Sequence, residues 1–257
     1  MSYNWDWGVL FELAPDGTHT YMAVLLHGAL WTAAVALSSY GIALVLGAIV
    51  GVLRTAENRI LSIGAATYVE LFRNIPLIVQ MFLWYFVFPE FLPSKASTWV
   101  KQLSLAPFIM AVAALGLYTS ARIAELLRSA IQSRPPGQIN AALALGLTRG
   151  QAYRLVLLPV AFRLVVPPLT SEFIGVIKNS AIALTIGVVE LTASSRLIQE
   201  LTFHIFEVFT VASLIYLAMN FTVVKIMGTI EQACQIPGMI KRQGAANPTR
   251  KANVLRV

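Results

Sequence analysis

The sequence has few of the residues from which most enzyme sites are built. Only 12% of its 257 residues are charged, and its aspartates are Asp6 and Asp16 alone. The single cysteine, Cys234, excludes an internal disulfide. The three histidines are too widely spaced to indicate a metal cluster, and no Ser-His-Asp arrangement is evident. We therefore predict no metal site, no cofactor and no catalytic residues.

A phosphate-binding loop is also missing. No stretch matches G-x-x-x-x-G-K-[ST], whose backbone amides cradle nucleotide phosphates. Any hydrolysis of ATP linked to this protein is therefore predicted to take place on another chain.

Apolar residues are what the sequence has in excess. They make up 57% of the chain, and the mean hydropathy is +0.71, far from the composition of a soluble domain. A helix needs about 20 mostly apolar residues to cross a bilayer. The sequence predicts an all-α integral membrane protein with five spans, at about 22–53, 62–88, 105–131, 169–188 and 205–230.

The basic residues predict the orientation of these spans. If the N-terminus is outside, only Lys95, Lys101 and Arg196 of the basic residues fall on the outer side, and the net charge of +7 reflects this bias. Residues 1–21 form the expected external segment, 22–232 the membrane domain, and 233–257 a basic cytoplasmic tail.

A long polar interruption separates the third and fourth spans. Prolines 135 and 136 are expected to end the third span, because proline lacks a backbone donor. The residues that follow predict two short helices over 138–159, joined at Gly146-Leu147-Thr148 and ended by Pro159. We expect this cytoplasmic element to be a docking element rather than a span.

The spacing in this element resembles the EAA loop of ABC importer permeases, in which EAA is followed by three residues, a glycine, nine residues and I-x-L-P. The matching positions are Asn140, Ala141, Ala142, Gly146, Leu158 and Pro159, with Asn140 in place of the usual glutamate. The resemblance implies the type I importer permease fold. It also implies that these residues form coupling helices that dock on an ATP-hydrolysing subunit.

Three other stretches are similar, in the same order, to the polar amino acid branch of these permeases: 68–80, 116–138 and 167–187. Within that branch the resemblance is to glutamate/aspartate permeases of bacterial inner membranes. It implies four kinds of partner: a second permease chain, identical or homologous, two ATP-binding subunits, a periplasmic substrate-binding protein and membrane lipid. No nucleic acid partner is expected.

Polar residues inside the spans are the candidates for substrate binding, because ionisable groups at bilayer depth are costly. A 100° projection of the fourth span places four of them on one side: Glu172, Lys178, Asn179 and Thr185. Gln80 in the second span is a further candidate. Lys178 suits the α-carboxylate of an amino acid, with Asn179 beside it.

Arg122 and Glu125 are the candidates in the third span. The family resemblance implies an aromatic residue where this chain has Arg122, so the arginine suits the second carboxylate of a dicarboxylic substrate. Glu125, three residues on, is expected to orient the guanidinium.

Other interpretations stay open. The same charges could hold helices together without touching a substrate. The chain could be a channel or scaffold that is not coupled to ATP, an intramembrane enzyme, or a permease for another polar amino acid.

Overall fold

The computed structural model describes residue 3, residues 5–133 and residues 136–234. These residues form ten α-helices and one isolated antiparallel bridge, between Leu13 and Thr20. The helices are α1 (Tyr21–Leu53), α2 (Arg59–Asn74), α3 (Leu77–Phe82), α4 (Ser94–Gln102), α5 (Ala106–Gln132), α6 (Pro136–Ala144), α7 (Arg149–Ala152), α8 (Leu158–Asn179), α9 (Leu191–Thr202) and α10 (Ile205–Cys234). The predicted all-helical class is confirmed. Residues 235–257 of the predicted basic tail and the Arg134-Pro135 part of the predicted stop lie outside the described residues.

Four helical stretches are long and apolar enough to cross a membrane: α1, α5, the stretch Arg149–Ile186 and α10. The expected second span is bent instead. Its two parts, Arg59–Asn74 and Leu77–Phe91, meet at 104°, so the described residues hold four helices that could span a membrane, or five if the bent pair counts as one. Pro76 explains the bend, because it lacks an N–H and forces Ile75 into an extended conformation.

The side chain of Gln80 stabilises this bend through hydrogen bonds to the backbone. Its side-chain amide donates to the carbonyls of Phe72 at 2.8 Å and Ile75 at 2.9 Å, which are near the end of α2. Gln80 is buried, at 3% exposure. Its amide group thus satisfies carbonyls that the broken helix leaves unpaired.

Helices α1 and α5 form the closest pair in the bundle. An added Cβ at Gly47 would lie 2.7 Å from the side chain of Ile123, and one at Gly51 would lie 2.9 Å from the carbonyl of Ala124. Only glycine permits such an approach of two helix backbones. Together with α8 and α10, this pair encloses the main apolar core, which includes Tyr40, Leu115, Val176 and Met227.

The expectation that Pro159 ends a short helix is wrong. The helix that begins at Arg149 continues through Pro159 and through Pro167-Pro168 to Asn179, and a 3-10 segment extends it to Ile186. A π-helical turn, Tyr153–Leu157, precedes Pro159, and the Leu158 N–H bonds to the carbonyl of Tyr153. This wider turn accommodates a residue that cannot donate, so the helix that carries the fourth span starts about 20 residues before the predicted span.

The turn between α6 and α7 lies where the sequence places it. Gly146 has φ +83°, and the Leu147 N–H bonds to the carbonyl of Ala142 at 3.2 Å, which closes the end of α6. Thr148 then caps α7, and its hydroxyl and the side chain of Gln151 bond reciprocally to backbone N–H groups.

Residues 5–20 lie against the end of the bundle from which α1 starts. Val9 and Leu10 are buried against Leu25 and Val208. Glu207, the third residue of α10, is fully buried and accepts hydrogen bonds from the Tyr3 hydroxyl at 2.5 Å and the Asp6 N–H at 2.8 Å. The N-terminal segment is thus fixed to α1 and α10 by packing and by hydrogen bonds.

Candidate functional site

An arginine and a glutamate from different helices face each other within the bundle. Arg122 of α5 donates from Nε to one oxygen of Glu172 in α8 at 2.7 Å, and from Nη2 to the other oxygen at 3.0 Å. This is the two-point geometry of a guanidinium with a carboxylate. The Arg122 side chain is 48% exposed and that of Glu172 is 13% exposed, so the arginine keeps an open side.

Glu125 does not orient Arg122, contrary to the sequence-based expectation. Its carboxylate pairs with Arg54, at the end of α1, and with Arg128, and it lies 3.9 Å from Arg73 of α2. Arg122 and Arg128 are both three residues from Glu125, so spacing along the helix permits either pair. Glu125 pairs with Arg128 because its carboxylate is turned toward Arg54 and Arg73, which α1 and α2 bring to this side of α5.

The remaining candidates in and after α8 lie toward the other end of the helix from Pro159. Lys178 is exposed and forms no ion pair with any residue of the described chain. Asn179 is half-buried and is the last residue of α8. Thr185 is exposed in the 3-10 segment, and its hydroxyl donates to the carbonyl of Ile182 at 2.7 Å. Lys178 follows Glu172 by six residues, or about 9 Å along the axis.

Gln80 differs from the other candidates in its surroundings. It is buried at the bend after α2 with its amide group donating to two carbonyls. Its Oε1 has no hydrogen-bond partner among the described residues. The structure thus gives Gln80 a part in holding the bend.

The candidate coupling residues form an exposed helical corner. Asn140 and Ala141 are exposed on α6, whereas Ala142 faces inward at 5% exposure. Leu145, just before Gly146, is 84% exposed. Farther along, Leu158 packs into the small apolar cluster of Leu127, Ile131, Ala161 and Val165, and Pro159 is exposed.

Two further contacts attach this corner to the start of the bent span. Arg149 lies 2.7 Å from Glu57, in the loop between α1 and α2, and the hydroxyl of Tyr153 contacts that of Thr55. In each contact the two partners are more than 90 residues apart in the chain, so only the tertiary structure reveals them.

A buried carboxylate that sequence reasoning missed is Glu190. It is fully buried and caps the start of α9, where it accepts hydrogen bonds from the N–H groups of Thr192 and Ala193 at 2.9 and 2.8 Å. The hydroxyls of Tyr216 in α10 and Thr32 in α1 bond to the same carboxylate, at 2.8 and 3.3 Å. The only signal in the sequence was a glutamate directly before an amphipathic stretch, where an acidic helix cap is favourable.

Apolar helices long enough to span a membrane, an accessible charge pair between two of them and a projecting helical corner are the features expected of a membrane transport subunit. The sequence comparison agrees: residues 43–234 match the family described as binding-protein-dependent transport system inner membrane component. The chain belongs to this family of ABC importer permeases.

Individual relatives are amino acid permeases. The chain is 46% identical over 242 residues to the glutamate/aspartate import permease protein GltJ of Escherichia coli K12. The alignment covers 93% of this chain and 98% of GltJ. It is 30% identical over 233 residues to the glutamine transport system permease protein GlnP of the same organism, with 91% and 99% covered. The structure matches that of an amino acid ABC transporter with a TM-score of 0.72 at 30% identity, over 83% of this chain and 95% of that one.

Proposed function

We propose that this chain forms one half of the membrane channel of a bacterial inner-membrane importer for glutamate and aspartate. Five spans, with the N-terminus outside and the C-terminus in the cytoplasm, place the corner made by α6 and α7 in the cytoplasm. The observation that carries the proposal is the two-point contact of Arg122 with Glu172, since it places a group that binds planar carboxylates on an accessible face.

The charges of the site are complementary to those of a dicarboxylic amino acid. Glutamate and aspartate carry two carboxylates and one ammonium group, and Arg122, Lys178 and Glu172 supply two cations and one carboxylate. Without substrate, Glu172 neutralises Arg122, which would otherwise be an unpaired charge at bilayer depth. With substrate, Lys178 takes the α-carboxylate, Arg122 the side-chain carboxylate, and Glu172 the ammonium group. Asn179 and Thr185 add hydrogen bonds on the same side.

Glutamine would leave one cation of this set without an anion. Its side-chain amide offers a single carbonyl oxygen, so it cannot reproduce the two-point contact with a guanidinium. We therefore expect the site to favour acidic over neutral substrates.

Energy for transport is supplied by other chains. Two ATP-binding subunits dock on the cytoplasmic corners around Asn140, Ala141 and Gly146, one on each copy of a permease pair. A periplasmic binding protein delivers substrate to the outer face. Closure of the ATP-binding pair moves the corners and alternates the access of the channel, so the chain is a transport subunit and not itself an enzyme.

The test uses the complete importer reconstituted in liposomes with saturating binding protein. Arg122→Lys keeps the charge but loses the planar fork, and Arg122→Gln loses both. We expect both variants to lose glutamate uptake far more than glutamine uptake, with assembly intact. Equal losses for both substrates, together with a lower melting temperature, would mean that Arg122 only supports packing. Native mass spectrometry of the purified complex would identify the bound amino acid and the partner chains.

A further inference from the structure

The part of α8 that directly precedes Glu172 lacks two backbone hydrogen bonds. Pro167 and Pro168 have no N–H, so the carbonyls of Arg163 and Leu164 lose their usual helical donors. A helix weakened in this way is easier to bend and twist at that point. Contacts from outside α8 therefore contribute to the direction in which Glu172 projects.

Tyr40 of α1 supplies such contacts on both sides of Glu172. Its hydroxyl donates to the carbonyl of Leu169 at 3.0 Å. Its ring stacks on that of Phe173, with 4.2 Å between the ring centroids and 5° between the planes. Tyr40 is buried, at 6% exposure, so both contacts are shielded from solvent.

These contacts fix the rotation of α8 about its axis. Leu169 and Phe173 are four residues apart and therefore lie on one helix face, which is turned toward α1. Glu172 directly precedes Phe173, so it projects about 100° around the axis from that residue. A rotation that separated Phe173 from Tyr40 would also turn Glu172 away from Arg122.

Arg122 and Tyr40 belong to the same rigid pair of helices. Gly47 of α1 lets the backbone approach Ile123 of α5 so closely that an added Cβ would lie 2.7 Å from its side chain. Ile123 is the neighbour of Arg122. Because α1 and α5 are fixed to each other, Tyr40 positions Glu172 relative to the helix that carries Arg122.

We propose that Tyr40 is a positioning residue for substrate selectivity, which through Leu169 and Phe173 sets the rotation of α8 that presents Glu172 to Arg122. This inference rests on the proposed function, in which Arg122 and Glu172 recognise an acidic amino acid. Tyr40 does not touch the substrate in this role. It acts through the orientation of the Glu172 carboxylate.

The experiment measures the ratio of glutamate to glutamine binding by the detergent-purified, complete importer without binding protein. Tyr40→Phe removes only the hydroxyl and is expected to lower this ratio about fivefold, the effect of one net hydrogen bond. Phe173→Leu removes the stacked ring from the other side and is expected to lower it as well. The second variant gives the answer if the first fails to assemble.

Tyr68→Phe is the matched control. Like Tyr40, Tyr68 joins two helices through its hydroxyl, which bonds to Ser120 of α5 at 2.6 Å, although its side chain is half-buried rather than buried. It has no contact with α8 among the described hydrogen bonds. We expect this variant to leave the ratio unchanged even if it lowers the melting temperature.

A double-mutant cycle with Glu172→Gln separates positioning from general stability. If Tyr40 acts through Glu172, Tyr40→Phe has no further effect on the ratio in the Glu172→Gln protein. Additive effects would overturn the inference, as would an unchanged ratio in both Tyr40→Phe and Phe173→Leu. An unchanged ratio in Arg122→Gln would instead show that the proposed recognition of acidic substrates is wrong.

Discussion

The hydroxyl of Tyr216 in α10 donates a 2.8 Å hydrogen bond to the carboxylate of Glu190, the residue that caps α9. Thr32 of α1 bonds to the same carboxylate, and its hydroxyl also accepts from the N–H of Leu191 at 3.1 Å. One buried side chain thus joins three helices. Because a buried carboxylate is tolerated only when its oxygens are satisfied, this network should be sensitive to small changes.

We expect Glu190→Gln to destabilise the protein by about 1–3 kcal/mol, because an NH₂ group then faces donors that need an acceptor. The measurement is thermal melting of the detergent-purified protein. Glu200→Gln is the control, since Glu200 is an exposed residue of α9 whose one ion pair among the described residues is with Arg196, and it should change stability by at most about 1 kcal/mol. Equal losses in the two variants would contradict the role given to Glu190.

Substitutions of Gly146 should impair coupling through backbone strain. Its φ of +83° disfavours side chains, whereas an added Cβ would meet nothing within 4 Å. A side chain at this position would therefore be strained without clashing with the turn itself. We expect uptake to fall in the order Gly, Asn, Ala, Val, because asparagine tolerates this conformation best. Gly146→Asp should retain ATP hydrolysis but lose its coupling to uptake.

Gly150→Ala is the control for Gly146. Gly150 lies in α7 with ordinary helical φ and has equal space around a Cβ. Uptake should be unchanged by this substitution. A loss equal to that of Gly146→Ala would point to contact with the ATP-binding subunit rather than to backbone strain.

Lys178→Ala is expected to abolish uptake of glutamate while the complex still assembles, because Lys178 has no ion-pair partner in the described chain whose loss would disturb packing. Lys225→Ala, which removes an exposed lysine of α10, is the matched control and should transport normally. Unchanged uptake and apparent affinity in Lys178→Ala would remove Lys178 from the substrate site.

Gly47→Val should separate α1 from α5. A side chain there would overlap Ile123 and the carbonyl of Ser120, at 2.7 and 2.9 Å from the Cβ position, and overpacking typically costs about 1–3 kcal/mol. Gly41→Ala, in the same helix with nothing within 4 Å, should be neutral or slightly stabilising. Melting temperatures of the two variants check both expectations, and a stable Gly47→Val protein would refute the close packing.

Composition and local spacing were enough to predict the long apolar helices and the turn at Gly146. Bilayer thickness fixes the length of an apolar run, so α1, α5 and α10 follow from composition within a few residues of the prediction. The turn at Gly146 is equally local, because glycine adopts its positive φ without a steric penalty, having no Cβ. The resemblance to importer permeases rested on the same local spacing and is confirmed by the family match.

The choice of ion-pair partners and the effect of the prolines depend on how the helices pack. Glu125 has an arginine three residues away on either side, so helix spacing alone could not choose between Arg122 and Arg128. The choice depended on Arg54, which lies 71 residues away. Pro159 looked like a helix end because a proline cannot donate, but the π-helical turn before it lets the helix continue. Ion pairs between distant helices and compensated backbone bonds depend on packing, which no local pattern in the chain encodes.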